Sequence, residues 1–325
     1  MAGAIRIHEA GGAEVLRYET VEVGQPGPGE VRLRQTAIGL NFIDVYFRSG
    51  VYPPPVLPFI PGLEAAGVVE AVGDRVTNLA VGDRVAYAAP PLGAYAVERL
   101  MPADRLVKIP ASVSDDQAAA MMLKGLTAQY LLRSTFKVEP GQTILFHAAA
   151  GGVGLIACQW AASLGVTVIG TVGSEAKAEL AKAHGCAHTI RYDQDNLVEQ
   201  VKEITGGKGV PVVYDSVGQS TFESSLDCLS PLGMLVSFGQ SSGKIPPVDI
   251  GILAAKGSLF LTRPSLMNYT AAREDLVAAA DDLFGVVASG KVNIEINQRF
   301  PLSEARAAHE ALEGRKTTGS TLLMP

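Results

Sequence analysis

Apolar and polar positions along the chain follow two different patterns. Residues 30–36 (EVRLRQT) alternate strictly, the period of a half-buried strand, and residues 65–73 and 83–89 are short apolar runs bounded by glycine and proline. This first part reads as β-rich. Between 52 and 61 the sequence YPPPVLPFIP holds five prolines. Proline lacks the amide proton that a helix needs, so this stretch predicts a rigid loop.

After Pro140-Gly141 the pattern changes. It predicts a buried strand over 143–148, a helix over 155–164 stopped by Gly165, a strand over 166–172 and a helix over 175–184 ending at Gly185. A strand over 187–192, a helix over 197–205, a strand over 210–214, a helix over 221–229 and a strand over 234–238 follow, with a last strand over 258–262. Strands alternating with helices of this length predict right-handed βαβ units, hence an α/β fold with a doubly wound parallel sheet. Further on, 270–289 and 303–312 read as helices with glycine stops at Gly290 and Gly314, and 321–324 as a strand returning to the first part. The simplest organisation is a nucleotide-type domain, 126–263, inserted into a β-rich domain made of 1–125 and 264–325.

A chain of 325 residues, 47% hydrophobic and 18% charged, is large enough for two domains with buried cores. Its net charge of -6 comes without charge runs, which argues against a nucleic-acid surface. The three cysteines, Cys158, Cys186 and Cys228, form neither a CxxC pair nor a disulfide framework. The start, MAGAIRIHEAGG, lacks the apolar run of a signal peptide, so a cytoplasmic location is expected. Residues 140–174 hold no charged side chain, which raises the question of a membrane span. Glycines, Gln142, His147 and Gln159 interrupt the run, and strand, loop, helix and strand is the better reading.

Within that stretch, His147-Ala148-Ala149-Ala150-Gly151-Gly152-Val153-Gly154 approximates the dinucleotide fingerprint G-x-G-x-x-G, with Ala149 in place of the first glycine. A strand precedes it, a helix follows, and a second strand lies within about thirty residues, as the fingerprint requires. Gly151 falls where the backbone approaches a pyrophosphate, and Gly154 where the helix packs tightly on the strand. Gly152 and Val153 lie between them, and the N-terminus of the following helix supplies amides and a partial positive charge that attract phosphate. Ala149 is acceptable if its φ is negative. An NAD-binding site usually carries Asp or Glu at the end of the second strand, to bind the ribose 2′-hydroxyl. Here Val172 and Gly173 stand at that tip, followed by Ser174 and Lys177, with Tyr192 at the end of the third strand. No acid would repel an additional phosphate, and Ser174, Lys177 and Tyr192 would welcome one. NADPH is the expected cofactor.

Several stretches resemble the medium-chain dehydrogenase/reductase superfamily, and within it the zinc-independent quinone oxidoreductase (zeta-crystallin) family. They are AIGLNFIDVYFRSGVYP (37–53), PGLEAAGVVEAVG (61–73), VGDRVAY (81–87), LKGLTAQYLL (123–132) and ILFHAAAGGVGLIACQWA (144–161). The resemblance covers essentially the whole chain. It implies a Rossmann domain inserted into a GroES-like catalytic domain, and a homodimer. The superfamily's zinc enzymes carry Cys where this chain has Asn41, and Gly-His-Glu where it has Gly62-Leu63-Glu64. Their structural cysteines have no counterpart in the first 157 residues. No zinc ligand set is legible, so no metal is expected.

The resemblance further implies NADPH:quinone reduction, by hydride or by single electrons that leave semiquinones. A quinone is already electrophilic, so the protein must chiefly position it against the nicotinamide and exclude water. By the same resemblance Asn41, Tyr46 and Tyr52 face the reaction site, Thr127 lies near the nicotinamide, and Tyr130, Phe238, Gly239 and Ser241 contact the dinucleotide. Lys124 replaces another zinc-ligand position, Glu64 is retained in a structural role, and Asp215 in YDSVG closes a turn. Plainer readings stay open at this stage: a glycine turn without ligand, a solvated Lys177, and Tyr46 and Tyr52 as packing aromatics. The enzymatic alternative is an NADPH-dependent enone or enal double-bond reductase on the same scaffold. A binding protein with little turnover is a third reading, and the acidic balance weighs against RNA as its partner.

Overall fold

The computed structural model describes residues 1–54, 56–192 and 196–325; Pro55 of the proline-rich loop lies outside them. Two units partition the chain, one of 1–126, 271–288 and 294–325, the other of 127–270 and 289–293.

The first unit begins with β1 (Ala2–Arg6), β2 (Arg17–Val21), β3 (Glu30–Leu40) and α1 (Phe42–Ser49). Then come β4 (Glu64–Val72), β5 (Arg84–Ala88), β6 (Glu98–Pro102), β7 (Val107–Lys108) and α2 (Asp115–Tyr130), which leads into the second unit. The second unit holds β8 (Thr143–Phe146), α3 (Gly152–Ser163), β9 (Thr167–Val172), α4 (Glu175–Ala183) and β10 (Cys186–Arg191). It continues with α5 (Leu197–Ile204), β11 (Val210–Asp215), α6 (Phe222–Asp227), β12 (Leu229–Ser237), α7 (Gly251–Ala255), β13 (Phe260–Thr262) and α8 (Leu266–Tyr269). The chain returns to the first unit through α9 (Arg273–Ala288), β14 (Ile296–Pro301), α10 (Ala305–Glu313) and β15 (Ser320–Met324).

Strand β3 alternates as its sequence does, with Val31 and Leu33 buried, and pairs antiparallel with both β4 and β15. Thr321 lies opposite Leu40, so the C-terminal strand does return to the β-rich unit. The core of that unit gathers Val31, Leu33, Ile38 and Leu40 with Tyr87, Tyr95 and Met101, and includes Leu302 and Leu323 from the end of the chain. Its sheet runs β14-β15-β3-β4-β5-β7, with β6 also on β3. The proline-rich stretch forms no helix among its described residues and touches the unit through a bridge between Ile7 and Phe59.

In the second unit, strands pair in the order β10-β9-β8-β11-β12-β13, all parallel. The strand order reverses direction between β8 and β11, the switch point where such sheets bind ligands at their carboxyl ends. Most predicted elements differ from the observed ones by a residue or two, as helix ends do. Larger differences have local causes. Helix α3 starts at Gly152 rather than 155, because the glycines after the loop already take helical geometry. Strand β12 starts at Leu229 rather than 234, because a register shift against β11 lets Leu229 pair with Val210. Turns after α3 and α4 are made by Gly165 (φ +79°) and Gly185 (φ +96°), conformations that cost glycine little.

Candidate functional site

In the second unit the loop between β8 and α3 is shaped around one strained residue. It is not Ala149 but Ala148 that takes a left-handed backbone, at φ +54°. A residue with a Cβ pays roughly 1–2 kcal/mol for this. Ala148 is then pinned from three sides: its carbonyl accepts from Gly151 N–H at 2.9 Å, its amide donates to Thr171 Oγ1 at 3.3 Å, and Ala149 N–H donates to Thr171 O at 3.0 Å. Ala149, completely buried, sits against Gly170 of β9, where a Cβ would lie 2.7 Å from the Ala149 methyl.

The glycines of the loop divide by role. A Cβ at Gly154 would lie 2.5 Å from Ala148 O and 2.6 Å from Ala149 O, so the protein's own helix–loop packing demands glycine there. At Gly151 a Cβ would meet only Ala148 O, at 3.2 Å, a squeeze that a small shift relieves. Glycine at 151 therefore leaves space outside the protein, at the N-terminus of α3. No side chain caps that helix, and geometry leaves the amides of Gly152, Val153 and Gly154 without intrahelical partners. An open floor with bare amides and a positive helix end fits a pyrophosphate.

At the tip of β9, Gly173 and Ser174 follow Val172. A Cβ on Gly173 would collide with the Tyr192 hydroxyl, so the phenol lies directly over this glycine, and Tyr192 N–H donates to Val172 O at 3.3 Å. Ser174 caps α4, its Oγ accepting from Lys177 N–H at 3.3 Å, which sets Ser174 and Lys177 on the first turn of that helix. Glu175 faces Arg191, Nη1 to Oε2 3.4 Å.

Across the switch point, Asp215 ends β11. Its Oδ1 accepts from Val217 N–H at 2.7 Å and Gly218 N–H at 3.0 Å, closing the turn. Its carbonyl accepts from Phe238 N–H at 2.8 Å and Gly239 N–H at 3.3 Å, and Ser241 N–H donates to Ser216 O at 3.1 Å. The segment after β12 is thus held to the end of β11, and Gly239 approaches Ser216 too closely for a side chain, a Cβ there lying 2.5 Å from Ser216 O. On α2, Thr127 is buried, and Tyr130 stacks on Tyr269 with ring centroids 4.6 Å apart and planes 12° apart. Burial, then neighbouring Tyr269, pushes the Tyr130 phenol well above its ordinary value, so it stays protonated.

The first unit carries Asn41, Tyr46 and Tyr52. Asn41 begins α1 in extended conformation (φ −134°, ψ 155°), and its N–H donates to Asp44 Oδ2 at 2.9 Å. Its side-chain Nδ2 donates to Glu64 Oε2 at 2.7 Å, which fixes the carboxamide with its oxygen turned away from Glu64. Glu64 is wholly buried, and Lys124 Nζ at 3.1 Å and Leu123 N–H at 2.6 Å supply its other partners. Lys124 therefore meets a carboxylate, and Glu64 is the structural anchor expected of it. Tyr46 and Tyr52 pack edge to face at 5.1 Å, flanked by Phe42 and Phe47. Among the described residues no group of three or more His, Cys, Asp or Glu converges as a metal site would require, and no helix is long and apolar enough to cross a membrane.

Reading the sequence alone misses Asp44, whose carboxyl is buried behind Asn41. Oδ2 also accepts from Tyr95 Oη at 3.0 Å, and Oδ1 has no hydrogen-bond partner. Burial pushes this carboxyl up to about 7. The signal was present as N-F-I-D, a helix start with an acid at the third helical position.

Comparison with known proteins places these features among relatives. Residues 27–111 match the model of the alcohol dehydrogenase GroES-like domain, and 152–282 that of the zinc-binding dehydrogenase domain. The chain is 57% identical, over the full length of both, to a quinone oxidoreductase of Pseudomonas aeruginosa. It is 50% identical to a 2-haloacrylate reductase of Burkholderia, covering 100% of this chain and 99% of the relative. The structure of Escherichia coli quinone oxidoreductase in complex with NADPH superposes with a TM-score of 0.98 at 52% identity, covering all of both chains.

Proposed function

This chain belongs to the quinone oxidoreductase family of the medium-chain dehydrogenase/reductase superfamily, and we propose that it transfers reducing equivalents from NADPH to quinones. The observation that carries this reading is the bare N-terminus of α3 with its open floor at Gly151, combined with the acid-free tip of β9. Gly151, Gly152, Val153 and Gly154 would hold the pyrophosphate. Ser174, Lys177 and Tyr192, around Gly173, would hold the 2′-phosphate that distinguishes NADPH. Tyr130, Thr127, Phe238, Gly239 and Ser241 would line the remainder of the dinucleotide.

Bound NADPH supplies a hydride from nicotinamide C4. The first unit carries groups of the kind that suit an acceptor. Asn41, its amide locked by Glu64, offers a fixed polar group, and the edge-to-face pair Tyr46 and Tyr52 offers an apolar wall with hydroxyl tips. Asn41 and Leu63 are not ligand types, and Lys124 brings its own positive charge to Glu64, so this reading needs no metal.

The likeness to a 2-haloacrylate reductase supports a second reading, hydride delivery to a conjugated carbon–carbon double bond. Steady-state NADPH oxidation with ortho- and small para-quinones, run beside simple enones and enals, separates the two. Turnover of quinones at the higher kcat/KM supports the first reading; turnover of enones alone would replace it with the second.

The same reading includes a cytoplasmic homodimer. Strand β13 is the edge of the parallel sheet and bears exposed Phe260 and Leu261, with exposed Leu232 and Ile250 also on this unit. An apolar edge strand is a template for pairing, and a second copy of this chain is the partner it fits.

A further inference from the structure

Beneath the pyrophosphate loop lies a line of side chains from four different segments of the second unit. His147 Nδ1 is 2.9 Å from Thr171 Oγ1, and His147 Nε2 is 2.9 Å from Ser225 Oγ. Ser225 Oγ donates to Asp215 Oδ2 at 2.9 Å, and Ala148 N–H donates to Thr171 Oγ1 at 3.3 Å. Each of the four side chains is at most 2% exposed.

The proton positions in this line follow from its far end. A carboxylate only accepts, so the Ser225 hydroxyl proton is spent on Asp215. Ser225 Oγ must then accept from His147, which places the imidazole proton on Nε2. Burial holds the imidazole below its ordinary value, against the opposing pull of Asp215, so His147 is neutral. Nδ1 is thereby an acceptor and takes the Thr171 hydroxyl proton, leaving Thr171 Oγ1 to accept from the Ala148 amide. Every hydrogen bond points the same way: Ala148 to Thr171 to His147 to Ser225 to Asp215.

The two ends of this line are informative. One is the single left-handed residue of the phosphate loop. The other is the carboxylate whose Oδ1 closes the 215–218 turn and whose backbone carbonyl holds Phe238 and Gly239. None of the four side chains is needed by the proposed chemistry, yet together they tie the ends of β8, β9 and β11 to one another. We propose that Thr171, His147, Ser225 and Asp215 are positioning residues, holding Ala148 in its left-handed conformation so that the loop is preorganised for the dinucleotide pyrophosphate. This explains how a residue with a Cβ stands at position 148: a hydrogen-bonded chain enforces there what glycine would otherwise permit.

The inference rests on NADPH as the cofactor, and its test separates the two. The dissociation constant for NADPH is measured by fluorescence titration of the cofactor-free protein, for wild type, Ser225→Ala, Thr171→Val and Thr171→Ser, each also in an Ala148→Gly background. Loss of the line should weaken NADPH binding about tenfold in Ser225→Ala and Thr171→Val, whereas Thr171→Ser, which keeps the hydroxyl, stays near wild type. Glycine at 148 adopts the left-handed conformation unaided, so Ala148→Gly should restore most of the lost affinity. Nitrogen-15 spectra of the histidines should show His147 with its proton on Nε2. Weakened binding that Ala148→Gly does not restore, or a proton on Nδ1, would overturn the proposal, as would unchanged affinity in both deletion variants. Failure of the wild-type protein to bind NADPH would instead refute the reading beneath it. If Ser225→Ala does not fold, the Thr171 pair decides alone.

Discussion

The methyl group of Ala149 occupies the space that a side chain at Gly170 would need: a Cβ on residue 170 would lie 2.7 Å from it, and 2.6 Å from Cys186 Sγ. The alanine in the fingerprint and the glycine on the neighbouring strand are complementary. Gly170→Ala should therefore destabilise the second unit by about 1–3 kcal/mol through overpacking. Combining it with Ala149→Gly should recover part of that loss, read from denaturant unfolding midpoints. Independent, additive effects would contradict the complementarity.

Glu64 and Lys124 form a buried ion pair at 3.1 Å, and Asn41 shares the same carboxylate oxygen. Lys124→Met leaves a buried carboxylate without its counter-charge, a loss of about 3–5 kcal/mol. Asn41→Ala removes a neutral donor only and should cost less stability while lowering kcat/KM for quinones. Thermal unfolding together with steady-state kinetics distinguishes the two effects.

Two buried groups of the first unit should oppose each other as pH changes. Asp44, raised by burial from an ordinary 3.8 to about 7, stabilises the folded state fully at low pH, and that contribution is lost as pH rises through 7. His309, lowered by burial and then by Arg48 from an ordinary 6.5 to about 3, works in the other direction: its contribution is present above 6.5 and is lost as pH falls towards 3. Both touch Tyr95 Oη, at 3.0 Å each. Asp44→Asn removes the first slope and exposes the second. Its unfolding midpoint should fall more steeply than that of wild type between pH 6.5 and 4, and parallel pH profiles would contradict this.

Charging the edge of the parallel sheet should separate the copies. Phe260→Lys and Leu261→Lys place ammonium groups on the exposed edge strand, the device by which natural edges avoid pairing. Light scattering should show a dimer for the wild type and a monomer for the double variant, with NADPH affinity retained.

How much of this was legible in the sequence depended on how far apart the participating residues lie. The second unit was readable because βαβ units are local: each strand and helix carries its own pattern, and Gly165 and Gly185 mark the stops. Helix α2 was not. It is buried on nearly all sides, with Ala118, Ala119, Ala120, Met121 and Met122 fully covered, so its apolar residues show no single face. Strand β14 went unread as well, because its exposed and half-buried residues acquire meaning only beside β15. Within the site, Gly151 and Gly154 were visible as a motif, and the absent acid at Val172 as a missing one. The left-handed turn at Ala148 and the line from Thr171 to Asp215 were invisible, since their parts stand up to 78 residues apart and only the folded sheet brings them into one row.

The most direct measurement is a fluorescence titration of the cofactor-free protein with NADPH and with NADH, repeated for Lys177→Ala. The acid-free tip of β9 with Ser174, Lys177 and Tyr192 predicts that NADPH binds at least about tenfold more tightly than NADH. It also predicts that Lys177→Ala loses affinity for NADPH while that for NADH is kept. Equal affinity for the two cofactors in the wild-type protein would contradict it.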